Sequence, residues 1–170
     1  MLGFAFLGAV IAGAYGIVHD HITFSIGPEY FTKLKFDQFA WANLQLGDRF
    51  FVSCIGFLAT WWVGLIVGWV LARRLVPNQQ RATARRKILR GFAIVFTTGI
   101  AFGLGGYFYG LLGGSDGDYS DWAFALRRIE IDDMWSFVRV AYIHNAGYLG
   151  GLVGLVLTFF FVKPNPDESE

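Results

Sequence analysis

Charge is scarce in this chain of 170 residues: 16% are Asp, Glu, Lys or Arg, against about 25% in a typical soluble domain. Cysteine is nearly missing. The single Cys54 has no partner within the chain, so no disulfide framework is possible and no redox compartment follows. It sits in an apolar run, where a packed or lipid-facing thiol is expected. Only three histidines supply imidazole. There is no phosphate-binding Gly-rich loop with its lysine, no Gly-x-Ser-x-Gly elbow and no His-Glu-x-x-His pair. Gly114-Ser115-Asp116-Gly117-Asp118 is acidic but lacks the twelve-residue calcium-loop pattern and its closing glutamate, so it reads as an exposed turn. No basic face offers itself to nucleic acid.

What is present points to a bilayer. The chain is 55% apolar, with 22 Gly, 18 Phe and 6 Trp, and its mean hydropathy is +0.47. The length suits one domain, residues 1–170. Apolar runs cover residues 2–18, 50–72, 91–112 and 135–162. Each is close to the ~20 residues that a helix needs to cross a hydrocarbon layer, and all are too long and continuous for barrel strands. The first run lacks a basic leading region, so it reads as a retained helix and not a signal peptide. The expected fold class is an all-α membrane protein, four transmembrane helices in a compact Gly-rich bundle.

The charges are segregated. Seven bases and no acid lie between Arg73 and Arg90; six acids and two arginines lie between Gly113 and Asp133. Lys and Arg favour the cytoplasmic side. Residues 73–90 therefore read as a basic cytoplasmic loop, 113–134 as an acidic outer loop and 19–49 as an outer segment, with both termini cytoplasmic. The basic run can also attract anionic lipid, although the topology rule alone accounts for it. Small residues recur every fourth position: Gly8, Ala12 and Gly16; Gly56, Thr60, Gly64 and Gly68; Gly99 and Gly103, Gly106 and Gly110; Gly147 and Gly151, Gly150 and Gly154. That spacing lets helix backbones approach closely in lipid, within one chain or between copies. Trp41, Trp122 and Trp135 fall near outer boundaries and Trp69 near the inner one, as interface anchors do.

The segment 19–49 is the least lipid-like. His21-Ile22-Thr23-Phe24-Ser25-Ile26 alternates polar and apolar residues, which predicts a short half-buried strand ended by Gly27-Pro28. Pro28 suits a helix start and Glu29 its first turn. The apolar residues that follow predict a partly helical segment lying on the membrane surface or folded over the bundle mouth.

The string His19-Asp20-His21-Ile22-Thr23, followed by Glu29-Tyr30-Phe31-Thr32, resembles a group of small bacterial integral membrane proteins of unknown function. Their pattern is His-Asp-Gln-(Ile/Val)-Thr, a short gap, then Glu-Tyr-Phe-Thr. His21 stands where that pattern has glutamine. His144-Asn145 with Tyr148-Leu149-Gly150 is similar to the same group. The resemblance covers the first third of the chain and part of the last helix. It implies a bacterial inner-membrane protein and carries no activity.

His144 lies about nine residues into the fourth helix, so about 13 Å deep. An ionisable group at such depth faces the bundle interior or a wet cavity. Asn145 is its neighbour, and Tyr148 stands one turn on. Arg139 needs a carboxylate partner or the outer surface. The expected polar network is Asp20, Glu29, Arg139, His144, Asn145 and Tyr148. The same side of the bundle brings His19, His21, Glu29 and His144 within reach as a transition-metal ligand set. Structural alternatives stand beside these. Asp20 suits a turn cap or a pair with Arg49 or Arg139. Glu29 suits a helix N-terminal acid or an ion pair with an outer arginine. His144 suits a core histidine bonded to Tyr15, Asn43 or a backbone carbonyl. The first expectation for function is a small structural or accessory membrane component, enzymatically inactive, with the bilayer and a membrane-protein partner or second copy as its company. A metal-dependent outer-face protein and an oligomeric small-solute or ion transporter are the alternatives.

Overall fold

The computed structural model describes residues 1–77, 79–127 and 129–164. Among them the chain is helical, with four long helices: α1 (Leu2–Ile26), α2 (Asp48–Leu75), α3 (Arg81–Gly113) and α4 (Met134–Phe161). Each is long and apolar enough to cross a membrane. The chain is a multi-pass membrane protein of the expected class.

Two expectations about local structure need correction. Residues 21–26 are not a strand: α1 continues through them to Ile26. The polar side chains there satisfy themselves on the helix. Thr23 Oγ1 donates to the carbonyls of His19 and Asp20, and Ser25 Oγ donates to that of His21. Asp20 and Thr23 are buried three residues apart while Ile22 is exposed, so the alternation in the sequence is a helical face seen at close range. Nor is 73–90 a loop. α2 runs on through Arg73 and Arg74 to Leu75, and α3 starts at Arg81. Ala84 and Ile88, four apart and fully buried, give this end of α3 an apolar face, and Ile88 joins Leu71 and Leu75. The arginines take the other face. Among its described residues, the acidic stretch 113–134 holds one short helix, Ser120–Ala125. Its entry turns at Gly114, whose φ of +67° is open to glycine at little cost, and Tyr119 Oη closes the turn on the Gly114 carbonyl.

The small-residue stripes pack within the chain, as two antiparallel helix pairs. In the first pair a Cβ on Gly8 would overlap the Gly64 carbonyl, and one on Gly16 the Gly56 carbonyl. Thr60 Oγ1 donates across this contact to the Ala12 carbonyl at 2.8 Å. In the second pair Gly154 meets Val95, Gly150 meets Phe102, Gly106 meets the Tyr142 carbonyl and Gly110 meets Arg139. Between the pairs the backbones stay further apart and rings fill the seam. Tyr15 and Phe96 lie 5.0 Å apart, and His19 and His144 4.8 Å.

After α1 the chain turns at Gly27, which tucks under the Ser136 carbonyl of α4. Pro28–Tyr30 forms a helical turn, and Phe31–Lys35 a wider one in which the Phe36 N–H reaches back five residues to the Phe31 carbonyl. Phe31 is fully buried, in one cluster with Val52 of α2 and Phe137 and Val140 of α4. The first part of the segment, through Phe36, is therefore folded over the mouth of the bundle, while Trp41, Leu44 and Leu46 beyond it are exposed. It caps one end of the molecule, the histidine end. The arginines between Arg73 and Arg90 and both described chain ends mark the other.

Candidate metal centre

The helical continuation of α1 decides which polar residues meet. His19 and Asp20 are on its inward side and face α4. His144 is 4% exposed and Asp20 6%. His144 Nδ1 lies 2.9 Å from the Val140 carbonyl, one turn back on its own helix. A carbonyl only accepts, so Nδ1 carries the hydrogen. The other ring nitrogen, Nε2, then faces Asp20 Oδ1 at 3.4 Å. His19 completes the group: one ligand atom from each of His19, Asp20 and His144 lies within 4.8 Å of the others.

Aromatic rings wall this cluster. Tyr30 of the capping segment stacks on His144 at 4.8 Å, Tyr15 stacks on His19 at 5.6 Å, and Tyr148 meets His144 edge-on at 6.2 Å. Burial pushes the Tyr30 phenol far above its ordinary range, and Tyr148 and Asp20 add to the effect. The phenol is therefore a neutral donor at every physiological pH. Lys35 extends its ammonium to within 5.6 Å of the Tyr30 ring centre. Burial pulls that ammonium below its usual range, while Asp20 pulls it back up.

The remaining expected site residues go elsewhere. His21 turns to the opposite side of α1 and bonds Ser53 Oγ of α2 at 2.8 Å. Glu29 bonds the backbone N–H groups of Asp132 and Asp133, Oε2 reaching the latter at 2.7 Å. It stands in the first turn of its own short helix, as expected, and its carboxylate serves the entry of α4 as well. Arg139 has no carboxylate partner among the described residues. Its guanidinium lies over Trp135 at 4.6 Å and Tyr107 at 5.8 Å, with Nη2 on Ser136 Oγ and the Ile26 carbonyl. Asn145 is exposed on the outside of α4, away from the cluster. Asp20 pairs with His144 and not with Arg49 or Arg139, and His144 bonds a backbone carbonyl and not Tyr15 or Asn43. So of the ligand set His19, His21, Glu29 and His144, the structure brings together His19 and His144, and adds Asp20. Tyr30 and Lys35 were not singled out from sequence. Only the string Glu29-Tyr30-Phe31-Thr32 marks their neighbourhood, and nothing in it shows that the chain folds back onto α4.

Comparison with protein families, curated proteins and solved structures gives no match to this chain. The chemistry of the centre is argued from its own geometry. Metal-bound histidine commonly donates its second ring N–H to a backbone carbonyl or carboxylate, which fixes the tautomer and aims the lone pair. His144 has that arrangement through Val140. A charge-assisted N–H···O bond is expected at about 2.7–2.9 Å, shorter than the Nε2–Oδ1 spacing here. Two ligands on a tetrahedral ion with bonds of about 2.0–2.2 Å stand about 3.3 Å apart, which fits it. Two imidazoles and a carboxylate make a borderline donor set that suits zinc, iron, manganese or copper.

Proposed function

We propose that the protein is a small accessory component of the bacterial inner membrane that binds one divalent transition-metal ion at His19, Asp20 and His144. The observation that carries the reading is the approach of those three side chains. His144 Nε2 faces a buried carboxylate at 3.4 Å, and His19 offers a ligand atom within 4.8 Å of both. Three protein ligands leave a fourth tetrahedral position for water or a small ligand. The rings of Tyr30, Tyr15 and Tyr148 lie beside the cluster and border that position.

The basic end faces the cytoplasm in this reading, because arginines concentrate there. The metal centre and its cap then face outward, and both termini inward. The inner half supports a one-sided site. Val67, Leu71, Leu75, Ile88 and Phe92 close it with apolar packing. Of the buried polar residues described, only Thr158 lies in that half, and it bonds the carbonyls of Gly154 and Gly91. That arrangement favours a bound ion over a conducted one.

The test is elemental analysis of the protein purified in mild detergent without chelator, followed by titration with zinc and cobalt. The expected result is about one ion per chain, lost in His144→Ala and Asp20→Asn and kept in His21→Ala, whose imidazole bonds Ser53. Cobalt should show visible bands of tetrahedral N/O ligation in the wild type and in His21→Ala, and in neither of the other two variants. A wild-type protein that takes up neither ion overturns the reading, and leaves Asp20–His144 as an ion pair that clasps α1 to α4.

A further inference from the structure

Asn145 is a polar side chain on the outside of a membrane-spanning helix. It lies eleven residues into α4, about 16 Å from the helix start, and it is exposed. Among the described residues nothing hydrogen-bonds its amide. An amide facing hydrocarbon with no partner is costly, and such groups find one on a neighbouring helix.

Its surroundings on α4 show what kind of helix. Asn145, Leu149, Leu152 and Val156 follow each other at spacings of four, three and four residues, and at 100° per residue they fall within about 60° of arc. Leu149 is 54% exposed, Leu152 61% and Val156 47%. Gly150 and Gly154 on the far side of the helix are the ones that meet α3. Beside the seam runs an open groove of about 460 Å³, whose lining includes Ala101, Gly105 and Ala146. Asn145 itself lines it, opposite the rings of Phe102 and Tyr109. The spacing is that of the contact positions of a two-helix coil, with one polar residue in an apolar seam. A lone Asn at such a position sets register and the number of helices.

We infer that α4 pairs with α4 of a second copy of this chain, in parallel, with the two Asn145 amides bonded to each other. A second copy is favoured over an unrelated helix on two grounds. The carboxamide is self-complementary, offering both a donor and an acceptor to its own image. Two copies inserted with the same topology also run parallel, so a two-fold axis along the membrane normal sets residue 145 against residue 145 at equal depth. The inference is independent of the metal centre, which lies on the face of α4 turned to α1.

Disulfide cross-linking in native membranes tests it, in a Cys54→Ser background. Leu152→Cys should give a covalent dimer, while Val10→Cys, equally lipid-exposed on α1, should not. Asn145→Leu keeps the helix face apolar. It should weaken association in lipid nanodiscs by about 5- to 30-fold, the range of interhelical polar bonds in membranes. Three results would overturn the inference: a wild-type protein monomeric in bilayers at high protein-to-lipid ratio, cross-linking equal at the two positions, or an Asn145→Leu variant that dimerises as well as wild type. Association of α4 with a different protein in place of its own copy would overturn it too.

Discussion

Asp133 serves the entry of α4 twice. Its side chain accepts from the Ser136 N–H at 3.0 Å, and its own N–H is held by Glu29, 104 positions away in sequence. The bonds from Ser136 hold the Asp133 carboxyl below the usual carboxylate range. The stabilisation of an acid depressed on folding is complete above its unfolded pKa, and it fades as pH falls through the lower folded value. Thermal stability in detergent should therefore decline below about pH 4 with a component that Asp133→Asn removes, since asparagine caps without titrating. Asp133→Ala should cost about 1 kcal/mol at neutral pH. A pH profile of Asp133→Asn identical to that of the wild type would show that the cap does not titrate. Residues of this kind were only half legible in the sequence. Glu29 announces a helix N-terminus by its position after Pro28, but which helix it serves depends on a contact between distant segments. Asp20 and His144 were legible as costly buried groups, and their pairing was not. It depends on the rotation of α1, which a strand at residues 21–26 would have altered.

Among the elements, α1 and α2 show how far small-residue spacing can be read. Four-residue repeats predicted close contact, and the contact is there, backbone against backbone at Gly16 and Gly56. What the spacing left open was the partner, because a glycine stripe serves a neighbour in the same chain as well as one in another. The stripes are not equivalent either. A Cβ on Gly56 would meet the carbonyl and backbone of Gly16, whereas one on Gly151 meets nothing within 4 Å. Gly56→Ala should thus destabilise by about 1–3 kcal/mol, the usual cost of overpacking, and lower the melting temperature in detergent. Gly151→Ala should stay within about 0.5 kcal/mol of wild type. Equal melting temperatures for the two variants would contradict the close approach of α1 and α2. Helix ends were less legible than helix cores. Hydropathy stops at the first polar residue, while α1 and α3 run on for two turns or more by facing Asp20, Thr23, Ala84 and Ile88 inward.

At the scale of the whole molecule, the chain is two tight helix pairs that meet along a seam of rings. The four spans were readable from apolar length. The division into pairs was not, since every helix carries its own stripe and hydropathy is blind to which stripe faces which. The division predicts unequal rigidity. With spin labels in a Cys54→Ser background, distances between Val10 and Ile66, within the first pair, should be narrowly distributed. Those between Val10 and Leu104, across the seam, should be broader, and His144→Ala should broaden only the second set. Equal widths in the wild type would mean that the seam is as firm as the glycine contacts.

Residues 76–80 lie between the two pairs in sequence. A ribosome therefore delivers the first hairpin whole before the second has emerged, and each hairpin can bury its glycine stripe alone. The centre cannot form at that stage: His19 and Asp20 arrive with the first hairpin, and His144 arrives near the end of the second. Whatever ion or proton comes to lie between them does so only after α4 is in place, so its capture marks the joining of the two hairpins.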